Sequence, residues 1–125
     1  DDPERRACQT LTAQGRESAS YPSGSAAVGT AYAELLALID PERAQALRTI
    51  GHEIGLSRLV CAMHYPSDVA AGEEIGRATA SEFGRDPQFL QDIEAARREL
   101  QAARATGKTN PGCAAERAAL AAPLP

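Results

Sequence analysis

Ser57, Arg58, His64 and Asp68 follow one another as Ser-Arg-x5-His-x3-Asp, a set of residue types suited to phosphoryl chemistry. An imidazole nitrogen is a competent nucleophile when the other ring nitrogen is held by an acceptor that fixes the tautomer and steadies the cation formed on attack. Asp68 fits that acceptor role. Arg58 brings a planar fork of donors that grips a tetrahedral phosphate through parallel charge-assisted hydrogen bonds. A second piece, Tyr21-Pro22-Ser23-Gly24-Ser25, offers backbone N–H groups and a hydroxyl at the positive end of a helix, and Gly24 lets an oxygen approach the backbone closely. Each residue alone has an ordinary reading: His64 as a helix-end histidine, Arg58 as a surface ion-pair partner, Asp68 as an acid in a first helical turn. At usual residue frequencies, the four-position pattern arises by chance in 125 residues on the order of one time in a thousand.

These residues need helices to position them. Val28, Tyr32, Leu35, Leu36 and Ile39 recur at helical spacing from Ala26 to the break at Asp40-Pro41, and Asp40 is placed to cap the next helix. Leu47, Ile50, Ile54, Ser57 and Cys61 predict a second helix reaching about His64, with Gly51 and Gly55 as bend points. On such a helix Arg58 is offset from His64 by about a third of a turn and about 9 Å along the axis, and His52 stands about 18 Å from His64, too far to substitute for it. Pro66 cannot continue that helix but can open another, which makes His64-Tyr65-Pro66-Ser67-Asp68 a corner. The third helix, about Pro66 to Phe83, carries Gly72, Gly76 and Ala80 as a smooth stripe for close helix approach. A fourth, capped at Asp86-Pro87, turns Phe89, Ile93, Ala96 and Leu100 to the core. Glu94, Arg97, Arg98 and Glu99 read as its solvated face, and His52 beside Glu53 as a solvated or core-edge pair. Cys113 to Ala122 predicts one short helix. The reading is an all-α bundle of about four main helices. It is a single domain over 1–125, with a loop-rich lead-in at 1–24 and a tail at 105–125.

In this order and at this distance the two pieces resemble the second and third signature motifs of the class A bacterial acid phosphatases, in the superfamily that also holds the type 2 phosphatidic acid phosphatases and the vanadium haloperoxidases. The resemblance runs from about Gln9 to Leu100, through Tyr21-Pro22-Ser23-Gly24, Leu38-Ile39-Asp40-Pro41, Gly55-Leu56-Ser57-Arg58, Val60-Cys61 and His64-Tyr65-Pro66-Ser67-Asp68-Val69. It implies that His64 is the phosphorylated nucleophile, Asp68 its partner, and Arg58, Ser23 and Gly24 the phosphate ligands. It further implies an all-helical, periplasmic or secreted enzyme that needs no metal, acts on small phosphomonoesters, and is inhibited by inorganic phosphate or vanadate. Two departures accompany it. The family's first motif, a Lys and an Arg-Pro pair, belongs upstream of Asp1, so the chain is expected to be a fragment in which each lost charge-assisted contact costs about 1.5 to 3 kcal/mol. Ser25 stands where the family has the histidine that protonates the leaving alcohol, and loss of a general acid costs about 10² to 10⁴ in rate. An impaired phosphatase is therefore the first expectation; a catalytically idle phosphate-binding or structural relative and a vanadium-dependent haloperoxidase are the alternatives.

Composition agrees with helices and narrows the partners. With 43% hydrophobic residues, 4% aromatics and no Trp, the chain is poorly supplied for sheet. A net charge of -4 and scattered basic residues exclude the footprint of a nucleic-acid binder. No apolar run approaches the roughly 20 residues of a membrane span. The start, Asp1-Asp2-Pro3-Glu4-Arg5-Arg6, does not read as a secretion signal, which implies that any such signal has been removed. Homo-oligomerisation stays open. Spacing of Cys8, Cys61 and Cys113 leaves two arrangements, one disulfide with a spare thiol or three reduced buried thiols; the family resemblance favours pairing Cys8 with Cys61.

Overall fold

A computed structural model describes Cys8 and residues 19–121. The expected loop over residues 1–24 therefore lies mostly outside the described residues. Among the described residues there are five α-helices, α1 (Gly24–Ile39), α2 (Ala44–Val60), α3 (Pro66–Phe83), α4 (Pro87–Ala105) and α5 (Gly112–Ala121), with a 3-10 turn at Pro41–Arg43 between the first two. No strand occurs among the described residues, and none of their helices is long and apolar enough to cross a membrane.

The central helix is α1, packed against α2 on one side and α3 on the other. Its buried face is Ala26, Gly29, Thr30, Ala33 and Ala37, while Val28, Tyr32 and Leu36 are exposed. Small residues win this face because helices packed over them bring backbone close to backbone. Gly76 of α3 shows how close: an added methyl would lie 2.5 Å from the Ala27 carbonyl oxygen. At Gly51 of α2 it would lie 2.6 Å from the Ala33 methyl. The Gly72-Gly76-Ala80 stripe thus meets α1 as its spacing predicts, and Gly51 and Gly55 lie where α2 runs close to α1. They are crossing points in a continuous helix.

The α4 helix is held differently. Asp86 caps its start, Oδ1 accepting from the Phe89 N–H at 2.9 Å. Of the four residues expected in its core face only Ile93 is fully buried, and Phe89, Ala96 and Leu100 are half-buried. Two arginines supply the attachment at the C-terminal end of α1, where unpaired carbonyls favour cations. Arg97 donates to the Leu38 carbonyl and pairs with Glu94, so it is not a purely solvated residue. Arg104 grips the buried Asp40 through both guanidinium nitrogens. The Asp40 carboxylate is thus taken up by Arg104, with Arg43 at 3.9 Å, and makes no capping bond to the 3-10 turn it precedes. The Arg104 hydrogen bond holds the Asp40 pKa below the ordinary carboxylate value, against the opposing effect of burial.

Candidate active site

The second helix stops four residues short of His64, and the stop builds the corner. Ala62 adopts φ 53°, a left-handed conformation that an alanine occupies at a cost. Its N–H donates to the Leu59 carbonyl at 3.0 Å and the Met63 N–H to the Arg58 carbonyl at 2.9 Å, the paired bonds of a Schellman C-terminus. The His64 N–H also reaches the Arg58 carbonyl, at 3.3 Å. Arg58 and His64 are therefore joined through a backbone that doubles back, which replaces the expected separation along one helix axis. Sequence pattern missed this stop because glycine, the usual signal, is absent there.

Past the corner, Tyr65 is extended and Pro66 opens α3. Asp68 falls in the first helical turn, buried to 4% exposure, and its Oδ2 accepts the Tyr65 N–H at 2.9 Å. The same oxygen accepts the Ser20 hydroxyl at 2.6 Å, and Oδ1 accepts the Ser67 hydroxyl at 3.3 Å. His64 turns Nδ1 toward this group, 3.6 Å from Oδ2 and 3.4 Å from Ser20 Oγ. The Asp68 pKa lies below the ordinary carboxylate value, chiefly because Ser20 and then the Tyr65 N–H donate to it, with burial opposing and Ser67 and His64 adding smaller contributions. Asp68 thus stays ionised into acid solution. Ser20 was not singled out by the sequence; it stands just before Tyr21, and no spacing rule marks it.

Ser23 docks the second piece onto the first. Its N–H donates to the Asp68 carbonyl oxygen at 2.9 Å, joining the start of α1 to that of α3. Ser23 is fully buried, and its hydroxyl accepts from the Ala26 N–H at 3.3 Å as the N-cap of α1. Gly24 and Ser25 are exposed and line a surface depression with Val28, Gly29, Tyr32 and Ile54. Arg58 is half-buried, and its Nε is buried without a hydrogen-bond partner among the described residues. An unpaired buried N–H of this kind is costly unless a ligand meets it. Ser57 returns its hydroxyl to the Ile54 carbonyl at 2.7 Å and is exposed. His52 pairs with Glu73 of α3 at 2.6 Å and not with the neighbouring Glu53. Cys8 and Cys61 lie with Cα atoms 4.7 Å apart, within disulfide reach, and Cys113 is a free thiol on α5.

The family model described as the PAP2 superfamily matches residues 2–89. The chain belongs to this superfamily. The matched PAP2 region takes in α1 to α3 and ends in the first turn of α4, so every residue of the corner lies inside it. Among curated proteins it is similar to the non-specific acid phosphatase of Salmonella typhimurium (strain LT2), 41% identical over 85 residues that cover 68% of this chain and 34% of the relative. The acid phosphatase of Zymomonas mobilis subsp. mobilis is 38% identical over 90 residues, 72% of this chain and 34% of that protein. The non-specific acid phosphatase of Providencia stuartii is 35% identical over 81 residues, 65% and 33% respectively. The chain spans about a third of the length of the curated relatives it matches.

Proposed function

We infer that this PAP2 chain is part of a phosphomonoester hydrolase that works in two steps through a phosphohistidine at His64. The observation that carries the reading is the convergence on Asp68: its carboxylate lies beside His64 Nδ1 and its carbonyl holds the Ser23 loop. With Nδ1 turned to the carboxylate, Nε2 is the attacking atom. The Nε2 lone pair forms the N–P bond as the ester P–O bond breaks with its electron pair going to oxygen, and the departing alkoxide or phenoxide takes its proton from solvent water. Water then attacks phosphorus, the N–P bond breaks, and inorganic phosphate departs. Arg58, whose buried Nε has no hydrogen-bond partner among the described residues, and the Gly24 backbone N–H hold the phosphoryl oxygens, the Ser23 N–H being committed to the Asp68 carbonyl; preorganised donors aimed at developing charge are the largest catalytic contribution such a site can make. The Ser23 hydroxyl serves as a helix cap in this assignment, so its contribution to phosphate is indirect. Small soluble phosphates are the substrate class, with phosphate and vanadate as inhibitors. A Cys8–Cys61 disulfide bracing the His64 corner, and with it a periplasmic or secreted setting, belong to the same reading.

The test is pre-steady-state kinetics on the full-length protein with an aryl phosphate. A burst of phenol stoichiometric with enzyme, lost in His64→Ala and with steady-state turnover down at least about 10³-fold, is the expected result. A His64→Ala protein that keeps near-normal turnover overturns the assignment. Ser25 favours one second reading, an idle relative that binds phosphate without turnover, and exchanging that residue for histidine separates the two.

A further inference from the structure

Between His64 and Asp68 stands a third group that the signature pattern does not contain. The direct separation of Nδ1 from Oδ2, 3.6 Å, is beyond a normal hydrogen bond, and Ser20 Oγ is nearer to both partners, 2.6 Å from Oδ2 and 3.4 Å from Nδ1. A serine hydroxyl has one proton to give. The 2.6 Å contact commits it to the carboxylate, which has no proton of its own, so the oxygen facing the ring can only accept. We propose that Ser20 is a positioning residue that links the imidazole to the carboxylate, Nδ1–H donating to Oγ and Oγ–H donating to Oδ2, and thereby fixes the tautomer that leaves the Nε2 lone pair for chemistry. The inference rests on the phosphohistidine reading for its catalytic consequence, and not for the hydrogen-bond geometry.

Two features strengthen it. Asp68 Oδ2 already accepts the Tyr65 N–H, so the carboxylate is held by backbone and side chain before it meets the ring. Ser20 also precedes the Ser23 loop by three residues, and that loop is tied to the Asp68 carbonyl. One short segment therefore sets both the anion cradle and the tautomer of the nucleophile, which couples the two parts of the site. The 3.4 Å link to Nδ1 is long, as catalytic hydrogen bonds often are before substrate binds.

Ser20→Ala and Ser20→Thr in the full-length protein test the proposal, with thermal unfolding confirming that both fold; Ser20 is an exposed residue, so its exchange should leave the fold intact. The primary readout is the ¹⁵N spectrum of the His64 ring, which reports the tautomer whether or not the protein turns over. Ser20→Ala should convert a single Nδ1–H form into a mixture, lower kcat by about 10- to 100-fold with KM little changed, and move the acid limb of the pH profile upward because Asp68 loses its principal donor. Ser20→Thr, which keeps the hydroxyl, should restore the tautomer and most of the rate. An alanine variant with the native tautomer and native kcat overturns the proposal, as does a threonine variant as impaired as alanine, which would mean that only the shape of serine matters. A wild-type protein that shows the Nδ1–H tautomer yet never forms phosphohistidine contradicts the phosphatase reading alone.

Discussion

Ser25 is the second residue of α1, exposed beside Gly24 on the surface depression that both help to line. A serine hydroxyl is too weak an acid to protonate a departing alkoxide, so the rate with alkyl phosphates should depend on whether an imidazole stands there. We expect Ser25→His in the full-length protein to raise kcat/KM for alkyl phosphates by about 10² or more, and to change activity toward nitrophenyl esters far less, since their leaving groups need no proton. Equal, small effects on both substrates would favour the idle relative. The residue scale is also where the sequence was most legible. Residue types at the Ser-Arg-x5-His-x3-Asp spacing point to His64, Asp68 and Arg58, and the structure brings His64 and Asp68 together; a pattern of four polar residues is read without regard to how the chain turns between them. It did not name Ser20, whose link to Asp68 spans 48 residues and exists only after α1 and α3 have docked.

Ala62 carries the clearest consequence at the scale of elements. It sits at the left-handed position of the α2 terminus, where glycine has no side-chain penalty, so Ala62→Gly should stabilise the chain by about 1 kcal/mol in urea unfolding. A loss of stability would show that the turn has another conformation in solution. Gly76→Ala is the reverse case. The methyl would press on the Ala27 carbonyl, a backbone atom that cannot swing aside, and should cost about 1–3 kcal/mol while separating α3 from α1. Because Ser23 and Asp68 are joined across that same pair of helices, kcat should fall with it; a change under about 0.5 kcal/mol would contradict the packing described. Helix periods located the elements to within a few residues, and the α3 glycine stripe disclosed its own partner surface. They misplaced the end of α2, since an alanine in a glycine position gives no stop signal. The α1 period is carried by Val28, Tyr32, Leu35, Leu36 and Ile39, whereas the buried face is Ala26, Gly29, Thr30, Ala33 and Ala37. Hydrophobic period registers large side chains and says nothing of how near two backbones can come.

Across the whole molecule, buried carboxylates set the response to acid. Asp40 and Asp68 both have folded pKa values below the ordinary 3.8, so each contributes stability that is present above that value and lost as pH falls through its lower folded value. Stability should therefore be level through mildly acid solution and decline only below about pH 4, a decline that Asp40→Asn flattens at the cost of lower stability near neutrality. Thermal unfolding across pH checks this; a decline already under way at pH 6 would contradict it. The buried hydrophobic residues among those described are four alanines, Val69 and Ile93, whereas Val28, Tyr32, Leu36, Ile50 and Ile54 are 40–64% exposed. The 125-residue chain in isolation should accordingly bind hydrophobic dyes and sediment in a concentration-dependent way, both reduced by Tyr32→Lys with Ile50→Lys. The covalent step is what distinguishes a phosphohistidine enzyme from any other phosphate-binding chain. Rapid acid-free quench of the full-length protein with labelled aryl phosphate, followed by peptide mapping, should find acid-labile phosphate on His64 and nowhere else; a folded, phosphate-releasing protein with no label on His64 would contradict it.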